Sequence, residues 1–208
     1  MNDNFSNTQT TRKKVVAIKA GVVSAQHRRA AEVGAAVLED GGDVVDAAIA
    51  TSFALGVVEP LMSGPAAEGA MVIWRANDSS AKVFDFGCRS PRELNPAHYP
   101  LSGNDKLSDL FPWSSVANDR NIIGATAVAI PGVVAGMDLA HQKFGRMPWK
   151  NLVIPAAKIV EEGLLFDWYT TLITAANARL LARDTDTAAL FLEDGVWPIE
   201  GDCKSVST

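Results

Sequence analysis

The sequence predicts a mixed chain, α/β or α+β, in which helices pack on a sheet. Short apolar runs of strand length alternate with longer segments whose apolar residues recur every three or four positions, the spacing of one helix face. Of the 208 residues, 48% are apolar and 21% are charged, which is typical of a folded globular chain. This length suits one domain or one large piece of a bigger fold.

The N-terminal region is predicted to contain a tail, a strand and a helix. Residues 1–14 are polar and end in a basic run, which indicates a flexible tail. Residues 15–23 predict a short buried strand. From Gln26 the apolar residues follow helical spacing, and Gly41 and Gly42 supply the flexible backbone that ends a helix.

A second helix and a β-hairpin follow. Asp43 is a suitable N-cap, and Asp46 lies near the positive end of the helix dipole. The side chains of this helix are small on nearly all sides, so we expect it to be buried until Pro60 ends it. The apolar runs 71–74 and 83–86 flank "RANDSSAK", whose Asn, Asp and Ser residues favour a turn, and together they predict a hairpin.

The middle of the chain is predicted to be a long surface excursion followed by a strand and a helix. Residues 90–120 contain many Pro, Asn, Asp and Ser residues and little periodicity. Residues 125–130 predict a strand that turns directly into a helix. Pro131 fits the first turn of that helix and Gly145 its end.

The last part of the chain is predicted to be helical and then irregular. Pro148 and Pro155 are placed to open two separate helices, and Asp167 to cap a last long one over residues 168–183. After Asp184 the periodicity fades, and no further strand is predicted.

Composition excludes several classes of function. The net charge is −5 and basic residues do not cluster outside the tail, so nucleic acid is not an expected partner. Cys88 and Cys203 lie far apart without metal-ligand spacing, so we expect no metal site, no disulfide framework and no cofactor. No signal peptide and no apolar run of membrane-spanning length is visible, so we expect a cytoplasmic protein without a membrane partner.

The residues that titrate near neutrality do not form an evident catalytic set. His27, at a helix start, and His141, on the predicted outer side of a helix, are both interpreted as surface residues. Neither has a Ser or Cys and a carboxylate at a spacing that indicates a triad. The pair Thr170-Thr171 falls in the first turn of a predicted helix, where threonine is ordinary.

One stretch, "FDFGCRSPRELNPAHYP" at residues 84–100, concentrates polar chemistry after an apolar run. Cys88 is a candidate nucleophile because Arg89 and Arg92 would favour its thiolate, although a half-buried structural cysteine is the commoner case. In "SGPAAEGA", residues 63–70, the glycine spacing does not match a phosphate-binding loop. Glu68 in that loop is interpreted as an exposed acid rather than a catalytic carboxylate.

Longer motifs resemble the γ-glutamyltransferase family, over roughly residues 17–200. They are "EDGGDVVDAAIATSFALGVVEPLMSG", "AIPGVVAGMDLAHQKFGRMPWKNLVIPAAKIVEEG" and "AALFLEDGVW". The resemblance implies an α+β fold that is part, incomplete in this chain, of the four-layer α-β-β-α sandwich of N-terminal nucleophile hydrolases. It also implies a precursor that cuts itself into a large and a small subunit.

The family's nucleophile is a threonine that opens the small subunit, and its own α-amino group serves as base. The Thr-Thr-His run that carries it does not occur in these 208 residues. We therefore expect residues 15–208 to be the N-terminal portion of a large subunit, without a catalytic residue of its own. The expected partner is a small subunit that carries the threonine.

This chain departs from the family pattern in two places. The family has a glycine-rich run after the S-G, whereas here residues 65–69 read "PAAEG". The family also has D-F-R-E-x-A-P, in which the arginine grips the α-carboxylate of the γ-glutamyl group. An ungapped alignment puts Gly87 at the arginine position and Arg89 two places later.

Arg89 is the first candidate for a substrate carboxylate, because residues two apart on an extended segment point to the same side. Arg92 is the second candidate. A shifted alignment of "RELNP" places it at the family's arginine, but this alignment breaks the register of the flanking motifs. The resemblance thus predicts a γ-glutamyltransferase-like amidohydrolase that acts on a small amide such as a γ-glutamyl compound. Alternatives are an acylase of the same family that acts on an amide other than glutathione, a non-catalytic subunit fragment, and a hydrolase that uses Cys88.

Overall fold

The computed structural model describes residues 21–103 and 114–205, and the α+β class is confirmed. The predicted tail and residues 15–20 of the predicted first strand lie outside the described residues, and residues 21–25 form no regular structure. The helices of the described part are Arg28–Glu39 (α1), Val44–Val58 (α2), Val133–Phe144 (α3), Trp149–Glu162 (α4), Trp168–Leu181 (α5) and Thr185–Phe191 (α6). Its strands are Ala70–Arg75 (β1), Ser80–Asp85 (β2), Leu164–Leu165 (β3) and Cys203–Lys204 (β4).

Helix α2 is the centre of the core. It packs against α1, α3 and α4, and small side chains permit this close approach on several sides. Ile49, Ala50 and Ala54 are fully buried. The predicted burial of this helix is confirmed over most of its length, whereas Val44 and Ala48 are exposed. Among residues 21–103 and 114–205, no helix combines the length and the apolar composition that a membrane span requires.

Local capping fixes where α1 and α2 begin. The Asp43 carboxylate accepts a hydrogen bond from the Val45 amide at 3.1 Å, and the Asp46 carboxylate accepts one from the Asp43 amide at 2.8 Å, which completes a capping box. The predicted N-cap is confirmed. His27 caps α1, because its Nδ1 accepts a hydrogen bond from the amide of Arg29 at 3.2 Å.

The predicted hairpin is confirmed as antiparallel β1 and β2, with Val72 opposite Val83. Its inner face carries the buried Ile73 and Phe84. The Phe84 ring meets the Phe144 ring edge-on at a centroid distance of 6.1 Å and thereby joins the hairpin to α3. The outer face is apolar as well and is exposed.

Residues 125–130 do not form the predicted strand. They begin with a short 3-10 turn at Ala125–Ala127, and only Ile130 pairs with another segment, at Arg89. Gly124 adopts a φ of 82°, which turns the chain just before this segment. The pairing stops at Ile130 because the next amide that could continue it, that of Gly132, donates instead to the Ala67 carbonyl at 3.2 Å.

The two helices predicted at Pro148 and Pro155 are one helix, α4, with Pro148 at its N-cap and Pro155 inside it. Proline removes one helical hydrogen bond, but the helix continues because it buries an apolar face formed by Leu152, Ala156 and Ile159. Asp167 caps α5 as predicted, and α5 ends at Leu181, two residues early.

The prediction of no regular structure after Asp184 is wrong. Asp184 caps α6, and β4 pairs with β3 through Leu164 opposite Lys204 and Leu165 opposite Cys203. Two-residue strands are too short for apolar alternation to reveal them.

Candidate functional site

Three segments meet beside the end of β2. They are loop 63–70, the turn formed by residues 86–89, and the start of α3. The amide of Phe86 donates to the Gly69 carbonyl at 3.1 Å, and the amides of Gly132 and Val133 donate to the Ala67 carbonyl at 3.2 and 3.3 Å. The loop therefore binds both the turn and the helix through its backbone.

The turn lies directly on α3 because two glycines leave room for it. A Cβ at Gly132 would stand 2.3 Å from the Phe86 carbonyl oxygen, and one at Gly136 would stand 2.2 Å from the Phe86 ring. Any larger residue at either position requires the turn to move. The segment just before α3 also holds the turn, because the Arg89 backbone pairs with Ile130 through hydrogen bonds of 3.1 and 2.8 Å.

An open groove of about 460 Å³ runs between the turn and α3. Gly87 and Arg89 both line it, together with Pro131 and Ala135. Arg89 is exposed, and within residues 21–103 and 114–205 its guanidinium has neither a hydrogen bond nor an ion pair. Its five N–H donors are therefore available to an anionic ligand. Arg92 is also exposed but does not line this groove.

Glu68 is the carboxylate that contacts the turn. Its Oε2 accepts a hydrogen bond from the Cys88 amide at 3.1 Å. Burial raises the pKa of the half-buried Cys88 thiol, and the charge and hydrogen-bonding oxygen of Glu68 raise that pKa further. The expectation that Arg89 and Arg92 favour a Cys88 thiolate is therefore wrong, since the adjacent group is an acid.

The histidines and threonines do not join this site. The interpretation of His141 as a surface residue is wrong: its side chain is 16% exposed. Its Nε2 lies 2.8 Å from the Met147 carbonyl, and its ring packs on Trp149. Thr170 is buried in the first turn of α5, where its amide donates to Asp167 at 2.7 Å, in agreement with a structural role.

A buried polar cluster at the start of α2 is absent from the sequence predictions. Arg75 donates two hydrogen bonds, of 2.6 and 2.8 Å, to the Asp43 carboxylate. Burial raises the pKa of Asp43, but the hydrogen bond from Arg75, the Val45 amide and two arginine charges outweigh it, so the net pKa lies below the ordinary value. Asp46 accepts hydrogen bonds from the amides of Arg146 and Met147. The contact between Arg75 and Asp43 holds the end of β1 against the start of α2.

The family model described as Gamma-glutamyltranspeptidase matches residues 30–205. This chain belongs to the γ-glutamyltranspeptidase family. It is 33% identical over 192 residues to the "Glutathione hydrolase proenzyme" of Bacillus subtilis (strain 168), a match that covers 91% of this chain and 31% of that protein. It is 35% identical over 187 residues to the "Acylase ACY 1 proenzyme" of Pseudomonas sp. (strain SE83), with coverage of 89% and 32%.

Solved structures of the γ-glutamyltranspeptidase family share this fold. The structure is similar to Helicobacter pylori gamma-glutamyltranspeptidase with a TM-score of 0.77 and 27% identity over 91% of this chain and 52% of that one. The chain is thus part of the family's four-layer sandwich. It spans about a third of the length of the two proenzymes, since the matches cover 31% and 32% of them.

The site contains both places at which the sequence is predicted to depart from the family pattern. Glu68 lies in the loop that the resemblance predicts to be glycine-rich, and the ungapped alignment places Gly87 at the expected arginine, Cys88 at the expected glutamate and Arg89 just after them. The structure brings these positions together, because Glu68 bonds to Cys88, the residue between Gly87 and Arg89. The two departures are therefore in direct contact, which their separation of 20 residues in sequence does not indicate.

Proposed function

We propose that this chain is the N-terminal portion of the large subunit of a γ-glutamyltransferase-like amidohydrolase, and that Arg89 binds the carboxylate of its amide substrate. The observation that supports this assignment is an exposed guanidinium without a counter-charge in the described residues, on the groove beside the turn where the family pattern has its arginine. A guanidinium matches a carboxylate with two parallel hydrogen bonds.

The chemistry requires a threonine that this chain does not supply. The hydroxyl of that threonine attacks the amide carbonyl while its own α-amino group takes the proton. The amine leaves with a proton, and the acyl group remains on the threonine as an ester. Water or a second amine then takes the acyl group and restores the hydroxyl. Arg89 contributes by fixing the acyl group relative to the attacking oxygen.

A partner segment that carries this threonine is the second part of the proposal. Two relatives are named as proenzymes, that is, as precursors that are processed, and this supports a second segment. The outer face of the hairpin supports it too, since Val72, Trp74 and Val83 are 69%, 61% and 66% exposed. An apolar sheet face of this kind is normally covered by another layer. We propose that the partner segment contributes that layer.

The experiment that tests the role of Arg89 compares two substrates in the complete gene product. One is a γ-glutamyl amide, and the other is an acyl amide of the same length without the α-carboxylate. Hydrogen bonds to charged groups contribute about 1.5–3 kcal/mol, so we expect Arg89→Ala to raise KM for the γ-glutamyl amide by roughly 10- to 100-fold. KM for the carboxylate-free amide is expected to stay within about twofold.

Arg92→Ala is the matched control, because it removes an exposed arginine three residues away that lies outside the groove. We expect it to leave both KM values unchanged. An unchanged KM in Arg89→Ala, or an equal effect in Arg92→Ala, contradicts the assignment. A larger effect in Arg92→Ala would favour the second candidate.

Acylase activity on a different amide is the alternative function, and Gly87 is the observation that favours it. A Cβ at Gly87 would contact only the Asp85 carboxylate, at 3.5 Å, so space is open where the family pattern has a long side chain. The same pair of substrates decides between the functions. A higher kcat/KM for the carboxylate-free amide, unaffected by Arg89→Ala, would establish the acylase.

A further inference from the structure

Loop 63–70 holds the turn and α3 through consecutive residues. The Ala67 carbonyl accepts from the first amides of α3, the Glu68 carboxylate accepts from the Cys88 amide, and the Gly69 carbonyl accepts from the Phe86 amide. Two of these contacts use backbone oxygens, which every residue has. The contact with Cys88 alone requires a side chain, and Glu68 supplies it.

Cys88 directly precedes Arg89, so its amide determines where the Arg89 side chain begins. Ile130 fixes the Arg89 backbone from the side of α3, and Glu68 fixes the preceding residue from the side of the loop. The guanidinium itself has no partner in the described part of the chain, so these backbone contacts fix where its side chain begins and leave its end free to meet a ligand. Glu68 and this hydrogen bond are exposed, so without the carboxylate water accepts from the Cys88 amide, but the link between the loop and the turn is lost.

We infer that Glu68 is a positioning residue that holds the turn so that Arg89 can bind a substrate carboxylate. The inference rests on the proposed function. Loop 63–70 and the turn thus form one site, in which the loop supplies the glutamate that holds the turn and the turn carries the arginine. Glu68 acts here through its hydrogen bond, and its negative charge opposes rather than assists binding of an anion.

The hydrogen bond and the charge can be separated by substitution. Glu68→Gln keeps a side-chain oxygen that accepts from the Cys88 amide and removes the charge. Glu68→Ala removes both. We therefore expect Glu68→Ala to weaken carboxylate binding by about two- to tenfold, the range for the loss of one hydrogen bond that is open to solvent. Glu68→Gln is expected to bind a carboxylate as tightly as the parent or more tightly.

The test uses the complete gene product and L-glutamate as the probe, with binding measured by calorimetry. Both Glu68 substitutions are made in the parent and in Arg89→Ala. If Glu68 acts through Arg89, Glu68→Ala weakens glutamate binding in the parent and has no further effect in Arg89→Ala. Hydrogen exchange of the Cys88 amide, followed by mass spectrometry, is expected to accelerate in Glu68→Ala but not in Glu68→Gln.

Several results would overturn the inference. Unchanged amide exchange in Glu68→Ala shows that the contact does not hold the turn. Equal losses in Glu68→Ala and Glu68→Gln show that charge, not position, matters. A loss of the same size in the Arg89→Ala background shows that Glu68 does not act through the arginine.

The γ-glutamyl amide assay separates this inference from the proposed function. If the parent turns over no amide but Glu68→Ala and Arg89→Ala both weaken glutamate binding, the function fails and the positioning role stands. If the parent turns over the γ-glutamyl amide and Glu68→Ala binds glutamate normally, the function stands and the positioning role fails. A parent that neither binds glutamate nor turns over an amide contradicts both.

Discussion

Replacement of Gly136 by alanine is expected to destabilise the protein even though it improves a helix. Gly136 lies inside α3, where alanine is favoured over glycine by about 1 kcal/mol. The new Cβ, however, would stand 2.2 Å from Cγ and Cδ1 of Phe86 and 2.5 Å from its Cβ. Carbon atoms pack at about 3.5–4.0 Å, so the ring has to move by more than about 1 Å.

The ring has little space into which it can move. Its far edge lies against Gly69, where a Cβ would already be 2.9 Å from Cε2, and the Phe86 amide is bonded to the Gly69 carbonyl at 3.1 Å. Overpacking typically costs about 1–3 kcal/mol, and a displacement of this size belongs at the upper end. After the helix preference is subtracted, we expect a net loss of about 2 kcal/mol in the free energy of unfolding.

Urea denaturation measures this loss as a lower transition midpoint at an unchanged m-value. A chain of this size is expected to show a decrease in Tm of about 4–8 °C. Gly64→Ala is the matched control, because a Cβ there meets no atom within 4 Å and its φ is not positive. We expect Gly64→Ala to change stability by less than about 0.5 kcal/mol. If Gly136→Ala is as stable as the parent, the close packing of the turn on α3 is refuted.

Two further substitutions test buried carboxylates. Arg75→Met leaves Asp43 buried without its main partner, and we expect a loss of about 3 kcal/mol by urea denaturation. Arg75 helps lower the folded-state pKa of Asp43. The stability that this ion pair contributes is therefore present above the ordinary carboxylate pKa and is lost as pH falls through the folded value, so the free energy of unfolding falls less steeply with acidification in Arg75→Met. An equally steep fall in the parent and in Arg75→Met would contradict this. Glu59 is buried, and no partner for its Oε2 occurs among the described residues. Burial raises the pKa of Glu59 by more than the nearby His27 lowers it, and the Asp167 charge adds to the rise, so stability is lost as pH rises through the folded pKa. Glu59→Gln removes that loss and is expected to gain roughly 1 kcal/mol at pH 8 but not below the ordinary carboxylate pKa; equal gains at both pH values would contradict the titration.

Features fixed by neighbouring residues were predictable from the sequence. The Asp43 cap, the hairpin and the cap of α5 each depend on residues a few positions apart, and local chemistry determines them. Where a local signal competes with packing, packing decided the outcome. Pro155 indicates a helix start, but the buried face of α4 keeps the helix continuous through it.

Contacts between distant segments were not predictable. Arg75 and Asp43 are 32 residues apart, and nothing local in either segment indicates the pair. His141 occupies a position that helical periodicity assigns to the outside, but the chain around Met147 folds over it. The same limit applies to the site. Family resemblance located the turn and named Arg89, whereas the bond from Cys88 to Glu68 depends on how the loop folds back onto it.

A crystal structure of the complete gene product with glutamate bound shows most directly whether Arg89 supplies the carboxylate contact beside the turn formed by residues 86–89. We expect guanidinium nitrogens of Arg89 within about 3 Å of the α-carboxylate oxygens, in the groove between the turn and α3. A carboxylate held by a different cation, with Arg89 directed into solvent, would contradict it.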